Sequence, residues 1–420
     1  MESWRFASGD GEYVLRRAPS LSFMEDRPFG HSTEAAIIRA AHRAGVTAPE
    51  VLVELQPGDG IGSGFVMRAL PGTPDPRAIL AMDEPAQLLR QVARDLAKIH
   101  SLPRAALPGD VPEMDYAEGV DGLARQFEEA GADRPIIALG LRWLRENLPE
   151  RVEPVLNHGD YRLGNLLAQD SQLTGVLDWE LAHIGDPMRD LGWLCVNSWR
   201  FGNSELPVGG FGHLDDLLAG YEGTSGLNVD RQTLRFWQVF GSFWWAMVTL
   251  QMAQAWRTGE TPSLERPVIG RRSSEAQMDC VSLLIPGDYR LPASDDSTVT
   301  GTQLPMPGEL LSGVEAFLRE TVAKQLDGHS QFLARVAANS LSIAQREFRH
   351  GAKIAQEETA RLEALLTAND DLDDLRWELV HQLRDSLPLN TQGLAEHLRQ
   401  TVACQLFLDQ PGYSALKNEY

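Results

Sequence analysis

Short apolar runs alternate with polar residues over the first seventy residues and predict a small β-rich unit. The pair Asp10-Gly11 lies between two such runs and is a strong tight-turn signal, so a hairpin is expected there. One helical period interrupts the strands, between a polar start at Ser32 and a stop at Gly45. The predicted elements are strands at 3–6 and 13–16, a helix at 32–44, and strands at 51–55 and 64–69.

The pattern becomes mainly helical after the breaker Pro71-Gly72-Thr73-Pro74. Apolar residues recur on one helical face from Glu84 to His100, and similar periods continue to residue 285. The predicted helices are at 84–100, 135–147, 187–198, 212–222, 231–257 and 273–284, with short strands at 155–157 and 173–179.

A segment rich in Pro, Gly, Ser, Thr and Asp at 286–308 has no apolar period and is typical of a linker. Helical periodicity follows it and predicts helices at 309–326, 331–349, 351–367, 370–386 and 391–407. The sequence therefore predicts an α+β protein with an all-α C-terminal domain. The expected organisation is an N-terminal lobe at 1–70, a mainly helical lobe at 71–285, the linker at 286–308 and a helical domain at 309–420.

The 420-residue chain is 43% apolar and 23% charged, with a formal net charge of −21 at pH 7. Such acidity repels nucleic-acid phosphates, so no nucleic-acid partner is expected. No apolar run reaches the roughly 18 residues of a membrane-spanning helix, and the first residues lack a secretory signal, so we expect a cytoplasmic protein without membrane contact. Cys195, Cys280 and Cys404 are scattered and are expected to be reduced thiols.

The most informative stretch is His158-Gly159-Asp160-Tyr161-Arg162-Leu163-Gly164-Asn165, followed by Asp178 after an apolar strand pattern. Phosphoryl transfer needs one carboxylate that orients the acceptor hydroxyl and takes its proton, together with oxygen ligands that hold Mg²⁺. Asp160 suits the first role, and Asn165 and Asp178 suit the second. The pattern therefore indicates a phosphotransferase that depends on ATP and Mg²⁺.

These motifs resemble those of the aminoglycoside phosphotransferase/choline kinase-like superfamily, and are most similar to the phosphotransferase domains associated with acyl-CoA dehydrogenases. The resemblance rests on HGDYRLGN at 158–165, GVLDWE at 175–180 and DPMRDLGW at 186–193, and it extends over about residues 3–285. It implies a protein-kinase-like fold of two lobes. Asp-Trp-Glu in place of the Asp-Phe-Gly of protein kinases, with no Ala-Pro-Glu after it, argues against a protein kinase.

The resemblance also implies residues that bind the nucleotide. Arg16 lies where this superfamily has a cation that reaches the ATP phosphates, and Glu34 where a helix glutamate pairs with that cation. Their simpler interpretations are a solvated strand charge and a helix-dipole partner. Met67, Arg68 and Leu70 match the hinge between the lobes, where adenine would lie against the backbone of Arg68 and Leu70. Met67 fits plain core packing equally well.

Three further residues are expected to act at the catalytic loop. The resemblance assigns the base to Asp160, so His158 is expected to support the loop from beneath. Asp190 is expected to receive hydrogen bonds that brace the same loop. Arg162 is expected to be a second catalytic residue that faces phosphate or acceptor.

Relatives begin with an additional strand and a Gly-rich loop before the strand that resembles Trp4–Phe6. The N-terminal lobe is therefore expected to lack its first strand and that loop. The C-terminal domain resembles an uncharacterised helical domain that often accompanies such phosphotransferases. Homodimerisation or docking of a protein partner is its expected use.

The expected reaction is transfer of a phosphoryl group from ATP to a hydroxyl of a small molecule. Resemblance to the acyl-CoA-dehydrogenase-linked branch implies a hydroxyacyl-CoA or a hydroxy acid as the acceptor, with an aminoglycoside or an amino alcohol as the second option. A catalytically silent kinase-like scaffold is the alternative from another class of protein, because the lobe that covers the phosphates is expected to be incomplete.

Overall fold

The computed structural model describes residues 2–19, 27–130, 133–259, 263–293, 307–385 and 387–416. The chain divides into two compact units, Met1–Gly119 with Leu148–Gly241, and Val120–Asn147 with Ser242–Tyr420. Most of the linker predicted at 286–308 lies outside the described residues, at 294–306.

The described ranges contain both β-strands and α-helices. The β-strands are β1 (Glu2–Ser8), β2 (Gly11–Ala18), β3 (Val51–Glu54), β4 (Ser63–Arg68), β5 (Val155–Asn157), β6 (Leu166–Gln169), β7 (Gln172–Val176) and β8 (His183–Gly185). The α-helices are α1 (His31–Arg43), α2 (Pro76–Leu80), α3 (Pro85–His100), α4 (Tyr116–Glu129), α5 (Pro135–Glu146), α6 (Met188–Leu194), α7 (Leu214–Ser225), α8 (Arg231–Arg257), α9 (Glu265–Arg271), α10 (Ser273–Leu284), α11 (Pro307–Ala316), α12 (Ala323–Gln325), α13 (Gly328–Leu366), α14 (Leu372–Asp385) and α15 (Leu394–Asp409). Among them, no helix has both the length and the apolar character that crossing a membrane requires.

The first unit contains an antiparallel sheet with the strand order β1–β2–β4–β3. The edge strand β1 keeps Trp4 58% exposed, whereas Phe65 in the inner strand β4 is fully buried. Because β2 pairs on both sides, its register is fixed, and Arg16 lies opposite Ser3 in β1 and Phe65 in β4. The sheet thus holds Arg16 at one defined position.

Helix α1 covers the inner part of this sheet through contacts with β3 and β4. Its apolar face buries Ile37 and Ile38 almost completely, and each such side chain contributes roughly 1.5–3 kcal/mol by leaving water. Glu34 lies in the first turn of the same helix and is also buried. Packing of α1 against the sheet therefore places the Glu34 carboxylate beside it.

Two short antiparallel strand pairs, β5–β8 and β6–β7, follow the sheet in the first unit. Neither β6 nor β8 was predicted, because strands of four and three residues are too short to display a two-residue period. The strand predicted at 173–179 is too long, since β7 ends at Val176. Asp178 has φ +65°, in the left-handed region, so the chain has already left the sheet there.

The second unit is helical over its described residues. α5 packs against α10 and α14, and α13 packs against α11, α14 and α15. The core of this unit contains fully buried leucines on α13, α14 and α15, namely Leu362, Leu379, Leu383 and Leu394. A π-helical turn, Phe317–Val322, joins α11 to α12, so the helix predicted at 309–326 is present but irregular.

One prediction for this unit is wrong. The helices predicted at 331–349 and 351–367 are a single helix, α13, of 39 residues. The predicted break at residue 350 lies inside α13, and the neighbouring Gly351 costs the helix only about 1 kcal/mol. Packing of α13 along three neighbouring helices outweighs that cost.

Candidate active site

The loop between β5 and β6 carries the HGDYRLGN sequence and turns sharply at Gly159. Gly159 has φ +86°, and a Cβ at this position would lie 2.1 Å from the carbonyl oxygen of Leu181. Only glycine tolerates both the left-handed backbone and this close approach. The turn therefore sets the direction in which the next residue, Asp160, leaves the loop.

The Asp160 carboxylate accepts three hydrogen bonds from the described residues. Oδ1 accepts one from Arg162 Nε and one from Trp193 Nε1, both at 2.8 Å. Oδ2 accepts one from Asn165 Nδ2 at 2.6 Å. The side chain remains 14% exposed. The carboxylate is thus held in one orientation and is still open to solvent.

The Asn165 amide is oriented by the same loop. Its Nδ2 donates to the backbone oxygen of Asp160 at 2.9 Å as well as to Asp160 Oδ2. With the amide nitrogen used in this way, the amide oxygen Oδ1 is the atom that remains to bind a cation. An amide oxygen is one of the hard ligands that Mg²⁺ prefers.

Asp178 is brought to the HGDYRLGN loop through its neighbour Leu177. The backbone N–H of Leu177 donates to Asn165 O at 2.8 Å, and His158 Nε2 lies 3.0 Å from Leu177 O. The predicted base and the two predicted metal ligands therefore belong to loops that are hydrogen-bonded together. The left-handed backbone of Asp178 turns its side chain out of the strand, where it is 37% exposed.

Arg16 lies among three carboxylates. Its Nη2 donates to Asp178 Oδ1 and to Glu180 Oε2, each at 2.6 Å. Its Nε lies 2.9 Å from Glu34 Oε1; this contact is an ion pair whose angle does not meet hydrogen-bond geometry. Arg27 Nη1 adds a second cation, 2.7 Å from Glu180 Oε2. The pairing predicted between Arg16 and Glu34 is present.

The electrostatics of this cluster follow from burial and charge. Burial raises the pKa of Glu34 to about 7, against the opposing effect of the Arg16 charge. Burial disfavours the Arg16 charge, but Glu34, Asp178 and Glu180 together raise its pKa above the ordinary value. Burial and the nearby Arg16 lower the pKa of His31 to about 4, so this histidine is neutral at pH 7. Arg16 therefore stays positively charged at pH 7.

Asp190 and His158 hold the loop from its buried side. The Asp190 carboxylate accepts the backbone N–H groups of His158 and Gly159 at 2.6 and 2.9 Å. Its Oδ2 also lies 3.3 Å from His100 Nε2, and His100 Nδ1 is 2.7 Å from the hydroxyl of Tyr221. The two residues predicted to support the loop therefore lie on its buried side, and their supporting role stays a prediction.

Burial and nearby charges also shift the pKa values of Asp190 and His158. Burial alone would raise the pKa of Asp190, yet the hydrogen bond from His100 and the electrostatic interactions with His100, His158 and His183 hold it well below the usual range. Burial lowers the pKa of His158, whose ring packs against Trp179 with 4.7 Å between ring centroids. His158 is therefore neutral at pH 7.

Arg162 lies beside the Asp160 carboxylate. In addition to its bond with Asp160, its Nη1 donates to Leu163 O at 3.0 Å. Its guanidinium lies 4.2 Å above the ring of Trp199, a cation–π contact. Trp199 therefore fixes the cation next to the predicted base.

The predicted hinge residues lie at the end of β4. Arg68 is exposed and pairs with Glu50, while Met67 and Leu70 are half-buried. The backbone N–H of Arg68 donates to Glu50 O at 2.9 Å, and that of Ala69 to Glu12 O at 2.9 Å. Within the described residues the Leu70 N–H has no hydrogen-bond acceptor. Leu70 therefore offers a free backbone donor at this edge.

The donor set fits a magnesium ion chemically. Asn165 Oδ1 and the part-exposed Asp178 carboxylate are hard oxygens, and Mg²⁺ typically takes one or two such protein ligands with phosphates and waters completing its shell. Arg16 currently neutralises Asp178 Oδ1, so a cation would reach Asp178 through its other oxygen or after displacing Arg16.

Several residues of the site were not assigned a role from the sequence. Glu180 and Trp193 lie inside the motifs GVLDWE and DPMRDLGW, so the signal was present but gave no function. Trp199 and Arg27 lie in no recognised pattern and are brought in by tertiary structure alone.

Cavity volume does not identify this site. Two cavities of about 800 and 400 Å³ lie in the second unit, and no predicted site residue lines either of them. The candidate site is indicated instead by the hydrogen-bonded carboxylates that converge there. Arg16 lies directly against one of them, Asp178.

The sheet, α1 and the catalytic loop define a kinase-like fold. A crystal structure from Ralstonia eutropha, provisionally described as an aminoglycoside phosphotransferase, is similar to 66% of this chain and 91% of its own chain, with a TM-score of 0.54 and 20% identity. At this identity the similarity concerns the fold alone.

The chain belongs to the phosphotransferase enzyme family, whose sequence profile matches residues 2–227. Residues 324–413 match a domain of unknown function (DUF6285). Acyl-CoA dehydrogenase family member 10 of Mus musculus is 31% identical over 199 residues, 44% of this chain and 18% of that protein. Acyl-CoA dehydrogenase family member 11 of Gallus gallus is 30% identical over 229 residues, 52% of this chain and 29% of that protein. The chain thus spans less than a third of either relative, and the family predicted from the motifs is confirmed.

Proposed function

We propose that this protein transfers the γ-phosphoryl group of ATP to a hydroxyl of a small molecule, with Mg²⁺ as the metal. The observation that carries this proposal is the joint orientation of Asp160 and Asn165, which leaves one carboxylate oxygen able to accept a proton beside an amide oxygen able to bind a cation. Membership in the phosphotransferase family supports the reaction class.

In this proposal each residue has a separate task. Asp160 orients the acceptor hydroxyl and takes its proton, and Arg162 stabilises charge beside it. Asn165 and Asp178 would hold Mg²⁺, which when bound neutralises phosphate charge. His158 and Asp190 keep the loop in place.

The nucleotide would lie between the sheet and the loop. Arg16, oriented by Glu34, is the proposed phosphate contact from the sheet side. Met67, Arg68 and Leu70 are the proposed adenine contacts, and the free N–H of Leu70 is suited to donate to a ring nitrogen. Arg68 can contribute only its carbonyl, since its N–H already bonds Glu50 O.

For the acceptor we propose a hydroxyacyl-CoA or a hydroxy acid. The names of the curated relatives support this class, because phosphorylation turns a hydroxyl into a better leaving group for an elimination that a catabolic route can use. Arg162, fixed on Trp199 beside the base, favours an acceptor that carries an anionic group over a cationic aminoglycoside or amino alcohol.

The test is turnover with ATP and Mg²⁺ on a matched panel of hydroxyacyl-CoAs, free hydroxy acids, aminoglycosides and amino alcohols, with the phosphorylated product detected by mass. Titration calorimetry with ATP, with and without Mg²⁺, measures nucleotide binding separately. Metal-dependent binding with turnover of a hydroxyacyl compound supports the proposal. Absence of nucleotide binding overturns it and favours the silent scaffold.

The proposed setting is the cytoplasm, where ATP is available and thiols stay reduced. The three cysteines, Cys195, Cys280 and Cys404, are all buried and free of disulfides. The helical segment at 309–420 is proposed to mediate homodimerisation or to dock a protein partner, and no nucleic acid or membrane partner is proposed.

A further inference from the structure

The hydrogen bonds of the Asp160 carboxylate distinguish its two oxygens. An ionised carboxylate oxygen has two lone-pair positions. Oδ1 already accepts two donors, Arg162 Nε and Trp193 Nε1, whereas Oδ2 accepts only Asn165 Nδ2 among the described residues. One acceptor position therefore remains, and it is on Oδ2.

The indole of Trp193 is held rigidly. It lies on α6, is 5% exposed, and packs against Trp199 with 5.0 Å between ring centroids at 60°. On another side it meets Gly241 of α8, where a Cβ would lie 2.9 Å from Trp193 Cε3. A larger residue at position 241 would displace the indole, so the present packing fixes its N–H toward Asp160.

The two donors to Asp160 Oδ1 are both held by the ring pair of Trp193 and Trp199. Trp193 donates directly, and Trp199 carries the Arg162 guanidinium 4.2 Å above its ring. Rotation of the Asp160 carboxylate would break both bonds at once. The tryptophan pair therefore determines which oxygen faces the acceptor.

We infer that Trp193 is a positioning residue for the proposed phosphoryl transfer: its indole N–H fixes the Asp160 carboxylate so that Oδ2 receives the acceptor proton. In the step, the acceptor O–H bond breaks, its proton goes to Oδ2, and the freed oxygen lone pair forms the bond to the γ-phosphorus as ADP leaves. This inference rests on the proposed function. It adds a residue to which the sequence motif gave no role.

Trp193→Phe removes the N–H donor and keeps an aromatic ring. We expect kcat to fall about 10- to 100-fold, as for loss of a hydrogen bond to a charged group, while the KM for ATP stays within about twofold. The KM for the acceptor should also stay within about twofold, because the indole N–H orients the base and does not bind substrate. A merely structural role would instead raise both KM values, or lower the melting temperature, together with the loss of kcat.

Trp256→Phe is the matched control, because Trp256 is 46% exposed on α8 and lies outside the site. Gly241→Ala is the second variant, should Trp193→Phe fold poorly by circular dichroism, since it displaces the same indole from behind. It should likewise lower kcat while the KM for ATP stays unchanged. If wild type is active and kcat is unchanged in both variants, the inference alone is overturned. If wild type is inactive and does not bind nucleotide, the proposed function is overturned.

Discussion

Asp190 holds His158 by its backbone: the buried carboxylate accepts the His158 N–H at 2.6 Å and the adjacent Gly159 N–H at 2.9 Å. A carboxylate that accepts several donors supports a sharp turn more firmly than a neutral acceptor does. The orientation of Asp160, which follows the turn directly, therefore depends on a residue in α6.

Asp190→Asn should lower the free energy of unfolding by roughly 1–3 kcal/mol at pH 7, because the new amide NH₂ would face a backbone N–H. The pKa of Asp190 is held well below the ordinary value. Its stabilisation is therefore full above pH ~4 and is lost as the pH falls further, so the difference between wild type and variant should narrow at low pH. Denaturant unfolding at pH 7 and pH 3.5 measures this, and a difference independent of pH would contradict it.

Asp160→Asn should reduce turnover by about 10²–10⁴-fold, which is the usual contribution of a positioned general base. The amide keeps the size of the side chain, so nucleotide binding should change little. The melting temperature should fall modestly, because the new NH₂ would face one of the three donors to Asp160. Steady-state kinetics and calorimetry with ATP and Mg²⁺ give the two values. Asp170→Asn, in the turn between β6 and β7, is the matched control. A near-normal rate in Asp160→Asn would exclude Asp160 as the base.

Glu34→Gln should alter how stability depends on pH. Burial raises the pKa of Glu34 to about 7, so its favourable contribution is complete below its unfolded pKa of about 4.3 and is lost as the pH rises through 7. The variant lacks this titration. We therefore expect the stability of the variant relative to wild type to increase between pH 5 and pH 8.

Unfolding curves of both proteins across that range isolate the Glu34 contribution, because the other titrating groups are common to both. Glu50→Gln, at an exposed ion pair, serves as control. A constant difference across the range would show that Glu34 stays ionised in the folded state.

Arg16→Met should make stability depend on Mg²⁺. The substitution leaves Glu34, Asp178 and Glu180 without their shared cation and should cost roughly 1–3 kcal/mol after allowance for their partial exposure. A divalent cation bound at these carboxylates would compensate. Thermal unfolding with MgCl₂ against NaCl at equal ionic strength should therefore show a larger Mg²⁺ shift in the variant than in wild type.

Arg5→Met, at an exposed ion pair on β1, is the matched control for that experiment and should respond to Mg²⁺ as wild type does. Equal Mg²⁺ shifts in wild type and Arg16→Met would argue against a cation site at Asp178.

Gly351→Ala should stabilise the protein by about 0.5–1 kcal/mol, because alanine favours the interior of a helix such as α13. An added Cβ would meet Glu347 Oε1 at 3.3 Å, the end of a flexible side chain. Denaturant unfolding monitored by circular dichroism measures the change. Destabilisation would mean that Glu347, which also pairs with Arg271, cannot move aside.

The sequence determined the centre of the candidate site because its residues are close together in the chain. Asp160 and Asn165 share one loop, and Asp178 follows one hairpin later, so local geometry brings them together. The contact of Arg16 with Glu34 spans two elements and was reached only through the resemblance to a family. Glu180 lies two residues from Asp178, but its bond to Arg16 depends on the turn at Asp178, which no sequence pattern encodes.

The same limit applies to the prediction of the fold from the sequence. Long periodic segments such as α3 and α8 were predicted close to their observed ends, whereas α4 was missed because Gly119 and Gly122 interrupt its apolar pattern. Trp193 lay inside a recognised motif, yet the direction of its N–H depends on how α6 packs against Gly241. Properties that depend on packing between distant segments were not accessible from the pattern.

At position 178 the left-handed backbone conformation favours glycine, whereas the proposed metal site requires a carboxylate. A non-glycine residue there carries a conformational penalty on the order of 1 kcal/mol, which glycine would relieve. A glycine variant would, however, lose both the ion pair with Arg16 and the carboxylate on which the proposed metal site depends. Thermostability engineering of this chain should therefore leave position 178 out of its libraries.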